Sequence, residues 1–274
     1  MTAFTLTERG GPLLISAPHV GTELPAGFAA RLTAVGQSLI DTDWDVDRLY
    51  GFAEELDATV LRAHWSRYVV DLNRDPNGVP LYPGARTTGL CPTETFEGEP
   101  LYVDGAAPDD TEITARRAAF WEPYHAALHA QLERIRAQHG YALLLDAHSI
   151  WGRLPLLFEG ELPDVNLGTN SGASCNTAIV AGVEEVVSAS PYSFVTNGRF
   201  KGGYITRQHG NPAAGIHALQ IELNQKNYLA DGSRTEYDAA KAASLSAILR
   251  NVTTVMLSLS KQNPPQSQPS ETHA

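Results

Sequence analysis

The chain has 274 residues, 43% of them hydrophobic and 19% charged, with a formal net charge of −11. That is an ordinary globular balance that argues against a disordered chain, and the length fits one large domain or two small ones. No lysine or arginine cluster forms the basic stripe of a nucleic-acid binder, and the acidic excess disfavours an anionic membrane surface.

The N-terminal residues lack the basic and apolar regions of a signal peptide, and no apolar run approaches the length of a membrane span. Cys91 and Cys175 are far apart and show neither a CxxC nor a zinc-finger spacing. The expectation is a cytoplasmic protein with two free thiols, monomeric or weakly homo-oligomeric, with no nucleic-acid and no membrane partner.

Leu13 to Ala17 reads as a short buried strand that stops at the loop Pro18-His19-Val20-Gly21-Thr22. Asp45 to Leu56 has a helical rhythm, and Thr59 to Ala63 and Tyr68 to Leu72 read as strands, the second running into Asn73-Arg74. Pro76 to Pro108 is rich in Pro, Gly and Thr; a loop of that length is more often functional than decorative, and it is a lid candidate. Thr111 to His139 is the best helix, with Gly140 as its stop, and Tyr141 to Leu145 is a strand ending at Asp146-Ala147-His148-Ser149. Asn176 to Ser188 reads as a helix, Ala218 to Leu223 as a late strand and Thr235 to Leu259 as a closing helix. Residues 1–260 then form one α/β domain, and the Pro/Ser/Gln-rich tail 261–274 is expected to be disordered. Strands alternating with helices imply a mixed, mainly parallel central sheet with helices on both faces.

In such sheets ligands collect at the carboxyl edge, and three predicted strand ends carry His19, His148 and Glu222. Two histidines and a carboxylate around an open position make a common hydrolytic zinc site. Asp146, two residues before His148 on the same face, could support its imidazole, although a structural Asp-x-His turn reads equally well. The third ligand stays open among Glu23, Asp41 and Asp43, because aspartates before a helix also serve as N-caps. Arg74 offers a planar fork for a carboxylate with Asn73 beside it, although a solvated arginine is the commoner case. Glu222, inside an apolar strand, suits a general base unless it faces solvent on an edge. His125 and His129 form HxxxH without the glutamate of HExxH and read as polar-face residues. No GxSxG occurs, which weakens a serine-hydrolase reading.

Ser16-Ala17-Pro18-His19-Val20-Gly21-Thr22, Asp41-Thr42-Asp43-Trp44, Ser66 to Arg74, Leu145 to Ser149 and Lys201 to Arg207 together resemble the N-formylglutamate amidohydrolase family, over about residues 12–228. More distantly, Asp71-Leu72-Asn73-Arg74, Asp146 to Ser149 and Ile221-Glu222-Leu223 are similar to segments of zinc carboxypeptidases, which implies a fold of that kind. One departure is the spacing after His19: Glu23 lies one residue beyond the HxxE of carboxypeptidases. The amidohydrolase resemblance points instead to Asp43.

The resemblance implies hydrolysis of N-formyl-L-glutamate to formate and glutamate, a step of histidine degradation. It implies one divalent metal ion, zinc as first choice, on His19, Asp43 and His148, polarising the carbonyl and acidifying a water. Glu222 would move the proton and Arg67 would steady the oxyanion. Asn73 and Arg74 would hold the α-carboxylate and Arg207 the γ-carboxylate of this small acidic N-acyl amino acid. The rival readings are a metallohydrolase for another N-acyl amino acid or a peptide C-terminus, and a catalytically silent binding protein.

Overall fold

Runs that are buried from end to end mark the centre of the sheet. The computed structural model describes residues 2–81, 84 and 86–262. Phe4–Thr7 (β1), Leu13–Ala17 (β2), Thr59–Ala63 (β3), Ala142–Ile150 (β4), Val165–Gly168 (β5), Phe194–Thr196 (β6) and Ile216–Asn224 (β7) pair in the order β1-β3-β2-β4-β7-β5-β6. The β3–β2, β2–β4, β4–β7 and β5–β6 ladders are parallel, and β1–β3 and β5–β7 are antiparallel. This is the mixed, mainly parallel α/β sheet that the alternating pattern implies. Every residue of β2, β4 and β7 is buried, as parallel strands covered on both faces require.

The helices are Ala34–Gln37 (α1), Asp110–Arg116 (α2), Glu122–His139 (α3), Thr177–Ser188 (α4), Tyr204–His209 (α5) and Ala239–Gln262 (α6). Leu14, Leu144 and Ala218 face α3 and α5 through Tyr124, Leu128, Leu132, Ile135 and Ile205. Leu13, Leu143, Leu145, Leu219 and Ile221 face the opposite layer, built from α4, α6 and Val46–Ala53. The 22 residues Ala239–Ser260 have the length and composition of a membrane span. Their stripe Ala242, Leu245, Leu249, Val252 and Met256 is nevertheless buried in this core, spaced as a helix packed along one face requires.

The structure departs from the expected elements in several places. Tyr68 to Leu72 is a turn and loop, because Val69 N donates to Ser66 O at 2.8 Å and Arg67 pairs with Asp71 four residues on. Its alternating apolar residues serve two different clusters, with Tyr68 and Val69 in one and Val70 and Leu72 in the other. The helix expected over 45–56 is a 3-10 segment, Val46–Ala53, interrupted at Tyr50, whose φ and ψ are −98° and 23°.

The long helix predicted from Thr111 contains a π-helical turn, Arg117–Trp121, between α2 and α3. Pro123 supplies the reason: it has no N–H to give the preceding turn, and its ring crowds the carbonyl four residues back. Gly140 ends α3 with φ 80°, as its position predicts. The short strands β1, β5 and β6 have no sequence counterpart above; β5 owes its place to the register against β7, and β6 to the register against β5. Helix α6 runs on to Gln262, past the expected boundary at 260, and the rest of the predicted tail lies outside the described residues. The described part of 76–108 holds no helix and only isolated bridges, while residues 82, 83 and 85 of that lid candidate lie outside the description.

Candidate metal centre and substrate cleft

Strand register builds the site. His148 stands opposite Glu222 and Asp146 opposite Gln220 in the β4–β7 ladder, so four polar side chains share the face that carries α3 and α5. Both strands extend two residues beyond His148 and Glu222, which therefore project from within the sheet rather than from the loops after it. His19 comes from the loop after β2, and Asp43 from the turn before Val46–Ala53, where its N–H donates to His19 O at 3.1 Å.

Three buried groups converge. His19 Nδ1 and His148 Nδ1 are 3.2 Å apart, and Asp43 Oδ2 is 3.6 Å from the first and 3.2 Å from the second. Nitrogen or oxygen ligands about 2.0–2.1 Å from a tetrahedral zinc are separated by about 3.3 Å. The donor set and its spacing therefore fit one divalent cation. The other two candidates go elsewhere. The Asp41 carboxylate accepts from Tyr68 Oη at 2.8 Å and Phe96 N at 2.9 Å, and burial raises its pKa. Glu23 is exposed and bridges to Trp65 through its backbone.

Around the triad lies a shell of buried carboxylates. Asp71 Oδ1 accepts from His19 Nε2 at 2.8 Å and Asn73 N at 2.9 Å, while Oδ2 accepts from Arg67 Nη2 at 2.7 Å. Burial alone would raise the pKa of Asp71, but Arg74, Arg67 and His19 hold it well below the usual carboxylate range. The same logic governs Asp43, where hydrogen bonds from His148 and His19 overcome burial. Asp146 Oδ1 is 3.1 Å from His148 Nε2 but makes no well-aligned hydrogen bond, so it acts on the ring chiefly through charge. Burial opposes ionisation of His148; Asp146, Asp43 and Glu222 prevail and lift its pKa well above the ordinary value. An imidazole so strongly drawn to positive charge marks a place where a cation is welcome.

Glu222 behaves oppositely. Burial pushes its carboxyl up to about 8, with His148 pulling it down and Asp43 pushing it further up. Gln220 Nε2 donates to Glu222 Oε2 at 3.1 Å, and Gln220 Oε1 accepts from Gly203 N at 2.6 Å, which fixes the amide and orients the carboxylate.

The triad opens onto a cleft of about 620 Å³, its mouth included, lined by His19, His148, Glu222, Arg67, Asn73 and Arg74 among others. Asn73 Oδ1 accepts from Ile205 N at 2.8 Å, and its Nδ2 lies 3.0 Å from His148 Nε2. Gly203 is required beside it, since any Cβ there would overlap the Asn73 amide. Arg74 is held by Thr88 O at 3.1 Å, Thr88 Oγ1 at 3.0 Å and Asn73 O at 3.1 Å. The buried guanidinium of Arg67 stacks 4.7 Å over Phe96 and touches Asp43 at 3.4 Å.

Arg207 is not brought to the cleft. It sits on α5 with Nε on Gly202 O at 2.7 Å and Nη1 on Leu81 O at 2.8 Å, while Arg86 and Arg199 line the cleft instead. Sequence reasoning also left Asp71, Gln220 and Phe96 without roles. Asp71 stood inside a quoted motif, and a carboxylate in an apolar stretch was the available signal. The HxxxH pair divides: His129 is exposed, as a polar face requires, and His125 is not. His125 is buried, stacks on Trp121 at 3.8 Å and bonds Leu72 O at 2.8 Å; burial pushes its pKa down to about 3.

The chain is 49% identical over 252 residues to N-formylglutamate deformylase of Pseudomonas aeruginosa, covering 92% of this chain and 94% of the relative. It is 47% identical over 247 residues to N-formylglutamate deformylase of Pseudomonas putida, covering 90% and 92%. The crystal structure of N-formylglutamate amidohydrolase from Ralstonia eutropha JMP134 superposes with a TM-score of 0.77 at 29% identity, over 96% of this chain and 98% of that one. The N-formylglutamate amidohydrolase family pattern matches residues 11–229, and the chain belongs to that family.

Proposed function

We propose that the protein hydrolyses N-formyl-L-glutamate to formate and L-glutamate, using a divalent cation, zinc as first choice, held by His19, Asp43 and His148. The observation that carries this reading is the buried triad with edges of 3.2 to 3.6 Å, opening onto a cleft that also presents Glu222 and arginines. When bound, the cation supplies Lewis-acid polarisation of the formyl carbonyl and acidification of water.

Glu222 takes a proton from the attacking water and returns it to the departing glutamate nitrogen. Its raised pKa suits a group that must both accept and release a proton near neutrality. Arg67, fixed by Asp71, places positive charge beside the developing oxyanion. Asn73 and Arg74 receive the α-carboxylate, held in place by Ile205 N and Thr88. The two buried, free thiols are consistent with the reducing cytoplasm that this reading assumes, and histidine breakdown is the route it would serve.

The test is to supply N-formyl-L-glutamate, N-acetyl-L-glutamate and N-formyl-L-aspartate and to measure release of formate or free amine. The formylglutamate reaction is expected to have the highest kcat/KM; faster turnover of either analogue would overturn the substrate assignment. Chelation should abolish activity and zinc should restore it, whereas full activity in a metal-free preparation would exclude the metal reading. Arg74→Ala is expected to raise KM by about 30-fold with a smaller change in kcat, as loss of a charged contact to bound substrate does. An unchanged KM would remove Arg74 from the carboxylate site.

A further inference from the structure

N-Formylglutamate carries two carboxylates, and a buried carboxylate demands a cation of its own. With the α-carboxylate assigned to Asn73 and Arg74, the side-chain carboxylate needs another partner in the cleft. Arg67 stands among Asp41, Asp43 and Asp71 beside the triad, where the reacting amide must lie. Arg86 donates to the carboxylate of Glu94 at 2.5 Å, so its charge is already answered. Arg207 bonds Gly202 O and Leu81 O and is not among the residues that line the cleft. Arg199 also lines the cleft, and it does so beside an apolar wall.

Its Nε donates to Leu157 O at 2.8 Å, and its guanidinium stands 5.3 Å from the ring centre of Phe200. Leu157, Phe200, Phe96 and Ile150 give this side of the cleft an apolar wall. A glutamyl side chain is two methylenes ending in a carboxylate, so it calls for an apolar wall with a cation at its end. The backbone that presents Arg199 is also fixed. Asn197, with φ 55°, donates its N–H to Leu167 O at 2.7 Å. Its Oδ1 accepts from Thr169 N at 2.9 Å and Ser171 N at 3.2 Å. A turn tied this firmly to the end of β5 holds the arginine two residues on in place before substrate arrives.

We infer that Arg199 receives the side-chain carboxylate of the substrate and thereby sets the preference for an acidic side chain. This rests on the deformylase reading above. The carboxylate lies along the Leu157–Phe200 wall and meets the guanidinium that Leu157 O orients.

The experiment compares N-formyl-L-glutamate with N-formyl-L-glutamine, its neutral isostere, in the metal-loaded wild type and in Arg199→Met, Arg199→Lys and Arg86→Met. The wild type is expected to prefer the acid by about 100-fold or more in kcat/KM, as one charged hydrogen-bonded contact provides. Arg199→Met should cut that preference to below about tenfold, chiefly through KM for the acid, and Arg199→Lys should restore part of it. Arg86→Met should keep the preference. An equal fall for both substrates in Arg199→Met, or a collapse of preference in Arg86→Met instead, overturns the assignment. If Arg199→Met does not fold, Arg199→Lys decides, and an unchanged KM for the acid in that variant overturns it. A wild type that cleaves neither compound sinks the deformylase reading and this inference with it. A wild type that cleaves the acid while Arg199→Met keeps its preference sinks the inference alone.

Discussion

Glu222→Gln is expected to lower kcat about 1000-fold while leaving metal content near that of the wild type, the loss expected when a positioned general base is removed. The side chain lies beside the triad without belonging to it, and Gln220 can still hold an amide in the same place. Loss of the metal in this variant would make Glu222 a ligand, and a kcat within tenfold would remove it from proton transfer. Stability should move the other way. The folded pKa of Glu222, about 8, lies above the ordinary value of 4.5 for a glutamate carboxyl. The native state therefore holds this proton where the unfolded state has lost it, and stability falls as pH rises from the lower value to the higher. The chelated Gln variant should accordingly melt at a higher temperature than the chelated wild type above pH 8. A lower melting temperature would show that the ionised carboxylate is well accommodated.

Asp71→Asn is expected to weaken metal binding about 10- to 100-fold and to destabilise the fold by about 3 kcal/mol. Both effects come from one carboxylate that serves two partners. Oδ1 holds the Nε2–H of His19, which keeps the Nδ1 lone pair aimed at the triad; Oδ2 neutralises the buried Arg67. The asparagine can replace a hydrogen bond but not the charge, so it leaves a guanidinium of 5% exposure beside fewer anions. Because Asp71 titrates below its ordinary value when folded, its contribution is present at neutral pH and is lost as pH falls through that lowered pKa. Competition with a chromophoric chelator reads the affinity, and denaturant melts of the chelated protein read the stability. A melt within 1 kcal/mol of wild type, or an unchanged affinity, would separate Asp71 from these roles.

Apolar runs made the centre of the sheet legible, although the long strands β4 and β7 extend beyond the ranges expected for them. Leu13–Ala17 and Thr59–Ala63 match the expectation residue for residue, because strands buried along nearly their whole length are mostly apolar, with Ser16, Thr59 and the half-buried Arg62 as the exceptions. The same signal misleads at Tyr68 to Leu72, where burial is satisfied by a turn between two clusters. At the site, His19, His148 and Glu222 could be read from their places at the ends of apolar runs, and the family motif singled out Asp43. The cations could not be ranked in that way. An arginine's six-bond reach lets Arg207 on α5 turn toward Gly202 and Leu81, while Arg199, in a stretch with no periodicity, reaches the cleft. Supporting residues such as Asp71 and Gln220 matter through distances across the fold, which no local pattern encodes.

The π-helical turn at Arg117–Trp121 has a consequence for how this chain tolerates change in length. Arg116 Nη1 donates to Val69 O at 3.1 Å, Trp121 Nε1 to Arg74 O at 3.1 Å and His125 Nε2 to Leu72 O at 2.8 Å, so one helical rod grips the carbonyls of the loop that carries Asp71, Asn73 and Arg74. Five residues of ordinary α-helix would throw Arg116 and Trp121 about 140° apart. The wide turn absorbs the surplus residue and keeps both grips on one side. Removing one residue inside that turn would leave a plain α-helix with both grips nearly in line. Removing one between Trp121 and His125 would rotate His125 off the Leu72 carbonyl and slacken the loop that meets the substrate.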